Sequence, residues 1–156
     1  GPWVDDLLNS SFKRNNSKNV RLVRGSHIVV HKLFDHDRSY ICQNNDNRIF
    51  FMIPYEDKYT LIGTTDIDHG QSAGNVEISE EEKLYICKSA NEYLNTKVNL
   101  EDIVWSYSGV RPLYDDGSKK AQEATRDYII SSKKQGLSLV INIFGGKINA
   151  LFLFRV

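Results

Sequence analysis

A single strong helix-start signal, in a chain otherwise built of short β-branched runs, limits what these residues can fold into. Ser79 stands three positions before Glu82, the spacing at which a serine hydroxyl and a glutamate carboxylate each satisfy the other's backbone N–H. Leu84, Cys87, Ala90, Asn91 and Leu94 recur at near-helical intervals after it, which predicts a helix over about residues 79–95. Elsewhere the pattern is extended. Arg21 to Val30 reads as a strand bent or closely approached at Gly25. Tyr40 to Gln43 and Arg48 to Ile53 read as a hairpin turned by Asn44-Asn45-Asp46-Asn47, and Tyr59 to Thr65 as a strand behind the Glu56-Asp57-Lys58 turn. Asp102 to Val110, Arg126 to Ser131 and Ser138 to Phe144 supply three more strands, with Gly136 at the last bend. Pro2 ahead of Asp5 and Asp6 suits the start of a short helix, Ser10 to Asn19 an exposed loop, and residues 66–78 a turn-rich connection. Runs of strands around one clear helix, rather than strict alternation, predict an α+β domain with a mostly antiparallel sheet flanked by helices.

The chain has 156 residues, enough for one domain that buries about two-thirds of its unfolded surface. Twenty basic residues balance twenty acidic ones, so net charge recruits neither nucleic acid nor an anionic bilayer. Cys42 and Cys87 lack metal-type spacing and read as reduced, buried thiols. No apolar run approaches the ~20 residues needed to span a bilayer, and the N-terminus lacks a signal-peptide pattern, so the chain reads as soluble or peripherally attached.

Three side chains carry the chemistry. Arg111 follows Gly109-Val110 and precedes Pro112 at an expected strand end, where a rigid guanidinium would grip a phosphate or carboxylate, or else pair with Asp115 or Asp116. Lys147 follows Gly145-Gly146, whose backbone N–H groups can approach a ligand closely; the alternative is a plain turn. His27 lies in an apolar strand and points to one defined face, either as a base for a substrate hydroxyl or as a hydrogen-bonded structural residue. His31, His36 and His69 sit in polar surroundings with no metal-site spacing, and Asp66 and Asp68 read as part of a polar turn. The metal expectation is none.

Seven segments occur in a telling order: Gly1-Pro2-Trp3-Val4-Asp5, Arg24-Gly25-Ser26-His27-Ile28-Val29-Val30, Ile53-Pro54-Tyr55-Glu56-Asp57, Ile62-Gly63-Thr64-Thr65-Asp66, Asp102 to Leu113, Thr125-Arg126-Asp127-Tyr128 and Phe144-Gly145-Gly146-Lys147-Ile148. Together they resemble the middle of the aerobic, FAD-dependent glycerol-3-phosphate dehydrogenases, over residues 1 to about 148. The resemblance implies the substrate (cap) domain of a glycine-oxidase-like flavoenzyme, with a nucleotide-binding domain carrying FAD elsewhere. It also implies oxidation of sn-glycerol 3-phosphate to dihydroxyacetone phosphate by hydride transfer to flavin, with electrons passed to a quinone. By position, His27 resembles the family's base or oxyanion partner, Arg111 and Lys147 its substrate-binding and catalytic cations, and Gly145, Gly146 and Ile148 the loop that returns to the flavin.

The departures shape the expectations. The glycine-rich FAD fingerprint is not in these residues, so the chain is expected to be a partial substrate domain, 1–148, needing an FAD-binding half, with a divergent tail at 149–156. A non-catalytic remnant of a degraded reading frame and a fragment of an oxygen-using glycerol-phosphate oxidase are the other readings. The expected location is the cytoplasm, or the cytoplasmic face of the inner membrane through peripheral association of the full enzyme. Trp3, Trp105 and the apolar tail are expected to be bare in the isolated chain.

Overall fold

The computed structural model describes residues 1–12, 18–70 and 72–145. In chain order it forms α1 (Val4–Phe12), β1 (Val20–His31), β2 (Tyr40–Gln43), β3 (Ile49–Tyr55), β4 (Tyr59–Gly63), β5 (Ile67–Asp68), α2 (Glu80–Asn91), β6 (Ile103–Tyr114), β7 (Tyr128–Gln135) and β8 (Ser138–Gly145). The α+β expectation holds as far as a mostly antiparallel sheet with two helices. One sheet has the order β2-β3-β4-β1-β5, with β6 also pairing β1; β7 and β8 form a separate two-stranded ribbon. The chain divides into two compact units, one made of Gly1–Val23, Asp68–Ala73 and residues from Val110 onward, the other of Arg24–Ile67 and Gly74–Gly109.

In the second unit, turn chemistry sets the register. Asn47, at φ 64°, lets β2 fold back on β3, pairing Ile41 with Phe51 and Cys42 with Phe50. Glu56 and Asp57 both take positive φ in the tight loop that pairs Tyr55 with Tyr59. Alternation along these strands then sorts side chains by face. Ile28, Val30, Cys42, Phe50, Met52 and Ile62 turn one way and are covered by Ile86, Cys87 and Ala90 of α2. Burying each large aliphatic side chain there contributes about 1.5–3 kcal/mol. Both cysteines are free and buried, and burial raises each thiol pKa, with Asp102 adding to it at Cys87.

The other face of this sheet is exposed at β2 and β6, while Val29 of β1 on the same face is buried. The register aligns Ile41, Phe51, Gly63 and His27 in one row across β2, β3, β4 and β1. Ile41 is 74% exposed, and Trp105 and Tyr107 of β6 are 53% and 38% exposed.

The predicted elements differ from the observed ones mainly at their ends. α2 stops at Asn91 rather than near residue 95, because the Asn91 side chain both donates to Val98 O and accepts from Val98 N–H, diverting the chain. The last turn tightens accordingly, with Glu92 N–H reaching Ser89 O and Tyr93 N–H reaching Ala90 O. β1 passes through a buried Gly25 without interruption. β6 runs past Val110 to Tyr114 through Pro112, which a strand accepts where no ladder N–H is required.

The first unit has smaller cores. Leu8, Val20 and Phe144 form one, Val23, Leu113, Ala121 and Ala124 another. The Asp5 carboxylate secures the chain after α1 by accepting from the backbone N–H groups of Asn19 and Val20. β7 and β8 are joined through Gly136, at φ 59°, the first of two loop residues between Gln135 and Ser138. Trp3 is 59% exposed, as expected; the tail at 149–156 lies outside the described residues.

Candidate functional site

His27 is placed by the second unit's sheet. Its β1 position lies opposite Gly63 of β4, and its half-buried ring lies on the face away from α2. The Tyr107 ring stacks on it at 4.9 Å between centroids and 6° between planes, and Trp105 lies 5.3 Å from Tyr107. An imidazole held flat in an aromatic stack can present a ring nitrogen to a hydroxyl without reorienting. Gly63 makes the room. A Cβ there would fall 2.3 Å from His27 Cδ2 and 2.9 Å from Ser26 O. Gly63→Ala should therefore push the ring off its stack and destabilise by about 1–3 kcal/mol, seen as a lower urea midpoint.

Behind the same strands, on the side facing α2, lies a buried charged network. The Glu82 side chain is only 1% exposed. Its Oε1 accepts from the Ser26 and Thr65 hydroxyls, both at 2.7 Å. Its Oε2 accepts from the Ser79 N–H at 3.0 Å and from the Arg24 guanidinium at 2.8 Å. Burial works to raise the Glu82 pKa, but the bonds from Ser79, Thr65 and Ser26 and the Arg24 charge outweigh it and hold the pKa below its ordinary value. The Ser26 hydroxyl also meets that of Ser108 at 2.7 Å.

The first unit carries Arg111 and Gly145. Arg111 is half-buried in β6. Nearby, Asp115 accepts from Gly117 N–H, and Asp116 from the N–H groups of Ser118 and Thr125. Gly145 has a local reason to be glycine, since φ is 63° and a Cβ would fall 2.8 Å from Asp127 O. Gly146, Lys147 and Ile148 lie outside the described residues.

This unit also holds an open cavity of about 810 Å³ lined by Trp3, Asp6, Lys18, Arg21, Asp68 and His69, among others. Its arginine is committed to a carboxylate: Arg21 forks onto Asp68 through contacts of 2.6 and 2.7 Å, a bond that lowers the Asp68 pKa and raises that of Arg21. Where a polar turn was expected at Asp66 and Asp68, the chain forms the short strand β5 and Asp68 serves as an ion-pair anchor. Among the described residues no cluster of three or more His, Cys, Asp or Glu side chains is placed to hold a metal.

Sequence reasoning singled out His27 but missed what surrounds it. Tyr107 and Gly63 were legible only as members of strands, because a partner across a sheet depends on register. Glu82 was legible as a cap, and the hydroxyl-bearing residues flanking His27 and Tyr107 were the available sign that it does more.

Comparison with known proteins adds the family. The chain is 43% identical over 148 residues to a D-erythritol 1-phosphate dehydrogenase of Brucella abortus, covering 95% of this chain and 30% of that protein. It is 42% identical to a glycerol-3-phosphate dehydrogenase of Pseudomonas aeruginosa and 39% identical to the aerobic glycerol-3-phosphate dehydrogenase of Escherichia coli, again over 95% of this chain and 29% and 30% of theirs. A crystal structure of the glycerol-3-phosphate dehydrogenase from Bacillus halodurans complexed with FAD superposes with a TM-score of 0.63 at 29% identity, over 76% of this chain and 24% of that one. The chain thus spans less than a third of the length of these relatives. The model of the family described as DAO, FAD dependent oxidoreductase, matches residues 1–146, and by that match over nearly its whole length the chain belongs to the FAD-dependent oxidoreductase family.

Proposed function

We propose that residues 1–148 are part of the substrate-binding domain of a dehydrogenase that oxidises a phosphorylated polyol, with sn-glycerol 3-phosphate the first candidate. The observation that carries the reading is His27, fixed on Tyr107 on the sheet face away from α2. His27 takes the proton of the substrate's C2 hydroxyl as the carbon becomes a carbonyl. Arg111 offers a fork matched to a phosphate, and Lys147 a second cation. FAD, when bound, supplies the acceptor for the hydrogen on C2; a quinone then takes the electrons, which would put the whole enzyme at the cytoplasmic face of a membrane.

The described residues suit one part of FAD and not another. The exposed aromatic side chains Tyr107 and Trp105 offer ring faces on which a ring system could stack. Neither helix suits the pyrophosphate: α1 opens with Asp5 and Asp6, α2 with Glu80, Glu81 and Glu82, and carboxylates at a helix N-terminus repel a phosphate there. Holding the dinucleotide falls to a separate FAD-binding portion.

A specific observation keeps a second substrate in view, the greater identity to the D-erythritol 1-phosphate dehydrogenase. The test joins this chain to the FAD-binding portion of a relative and follows dye reduction. Turnover of sn-glycerol 3-phosphate with the higher kcat/KM is expected; a preference for D-erythritol 1-phosphate would reassign the substrate. Bound FAD with no turnover of either compound would overturn the reading.

A further inference from the structure

We propose that Glu82 is a positioning residue for His27, acting through the hydroxyls of Ser26 and Ser108. Ser26 immediately precedes His27 in β1, and Ser108 immediately follows Tyr107 in β6. Neighbouring residues of a strand point to opposite faces, so whatever pins Ser26 to Ser108 on the α2 side also sets how His27 meets Tyr107 on the other side. A slip of one residue would send both rings to the wrong face.

The proton directions in this network are determined by its members. The Ser79 N–H and the Arg24 guanidinium can only donate, so Glu82 accepts at Oε2 as a carboxylate. Ser26 gives its one hydroxyl hydrogen to Oε1. It therefore receives the hydrogen of Ser108 across their 2.7 Å contact. Thr65 likewise gives its hydrogen to Oε1 and accepts the Ser26 backbone N–H at 3.0 Å, which holds this point of β1 from a third side. The order Ser108 to Ser26 to Glu82 leaves no hydroxyl free to turn. An amide at position 82 would present two hydrogens where only donors converge, and the order would fail.

Any catalytic meaning of this arrangement rests on His27 acting as the base; the geometry does not, so the test reads geometry. In the 156-residue chain, protons of the His27 imidazole lie beside the Tyr107 ring and should be displaced by its ring current, the signal being assigned by its loss in His27→Asn. Ser108→Ala and Glu82→Gln should each abolish that displacement and leave the other three histidines unmoved, while Ser108→Thr, which keeps the hydroxyl, should retain it. If Glu82→Gln does not fold, Ser108→Ala and Ser26→Ala decide the matter. An unchanged His27 signal in both serine variants would overturn the proposal. So would a simultaneous shift of all four histidines, which would mean a general structural role. A failure of the assigned activity would leave this spectrum as expected, so the two ideas fail separately.

Discussion

Replacing His27 by asparagine in the FAD-joined protein is expected to lower kcat for sn-glycerol 3-phosphate by about 10²–10⁴-fold, the usual contribution of a general base. Asparagine keeps a hydrogen-bonding side chain of similar reach, so substrate held mainly by its phosphate should bind nearly as before. KM should therefore move far less than kcat. That split marks loss of an interaction made in the transition state rather than of uniform binding. The stack explains why the effect should be large. A ring held at 4.9 Å and 6° against Tyr107, with Gly63 opposite, has little freedom to depart from its working orientation. Steady-state kinetics of the variant beside Arg111→Ala gives the contrast, since loss of the phosphate fork should appear first as a raised KM. A His27→Asn enzyme with unchanged kcat would remove His27 from the chemistry and leave it as a wall residue.

Glu82→Ala is expected to destabilise the chain by about 3–5 kcal/mol, the range for removing one partner of a buried ion pair. The loss is not that of a single contact. Arg24 would be left without its carboxylate, the Ser79 N–H would lose its capping acceptor, and the Ser26 and Thr65 hydroxyls would have no acceptor on the buried side. Urea unfolding should show a much lower midpoint at unchanged slope. Acid should have a related effect on the unmodified chain. Because the folded Glu82 pKa lies below the ordinary value of 4.5, its contribution to stability is fully present above pH 4.5 and is lost as pH falls through the folded value. The Glu82→Ala chain should lack this portion of the acid transition, and a parallel acid dependence in both proteins would count against the assignment.

Legibility differed by element for identifiable reasons. The capping box was readable because both its partners lie within four residues, and it formed with Ser79 and Glu82 in their expected roles. The Asn44–Asn47 and Gly136 turns were readable because left-handed backbone restricts residue choice. The end of α2 was not, since it depends on Asn91 bonding to Val98 beyond the last turn. At the candidate site, His27 stood out as a polar side chain in an apolar strand. Gly145 drew attention as a possible ligand contact, yet its backbone angle and the proximity of Asp127 already require glycine.

By itself, the sequence determined the local grammar: one capped helix, hairpins with defined turns, an apolar face for the sheet, and seven collinear segments sufficient to recognise the family. Only the tertiary structure decided that Tyr107 stacks on His27, that Gly63 leaves space for the ring, and that the capping glutamate also gathers Ser26, Thr65 and Arg24. The physical reason is range. Capping and turn formation depend on backbone angles and on partners a few residues away, which a sequence states directly. The network at Glu82 includes a bond between residues 82 positions apart, Ser26 and Ser108, and exists only once strand register has brought those positions together.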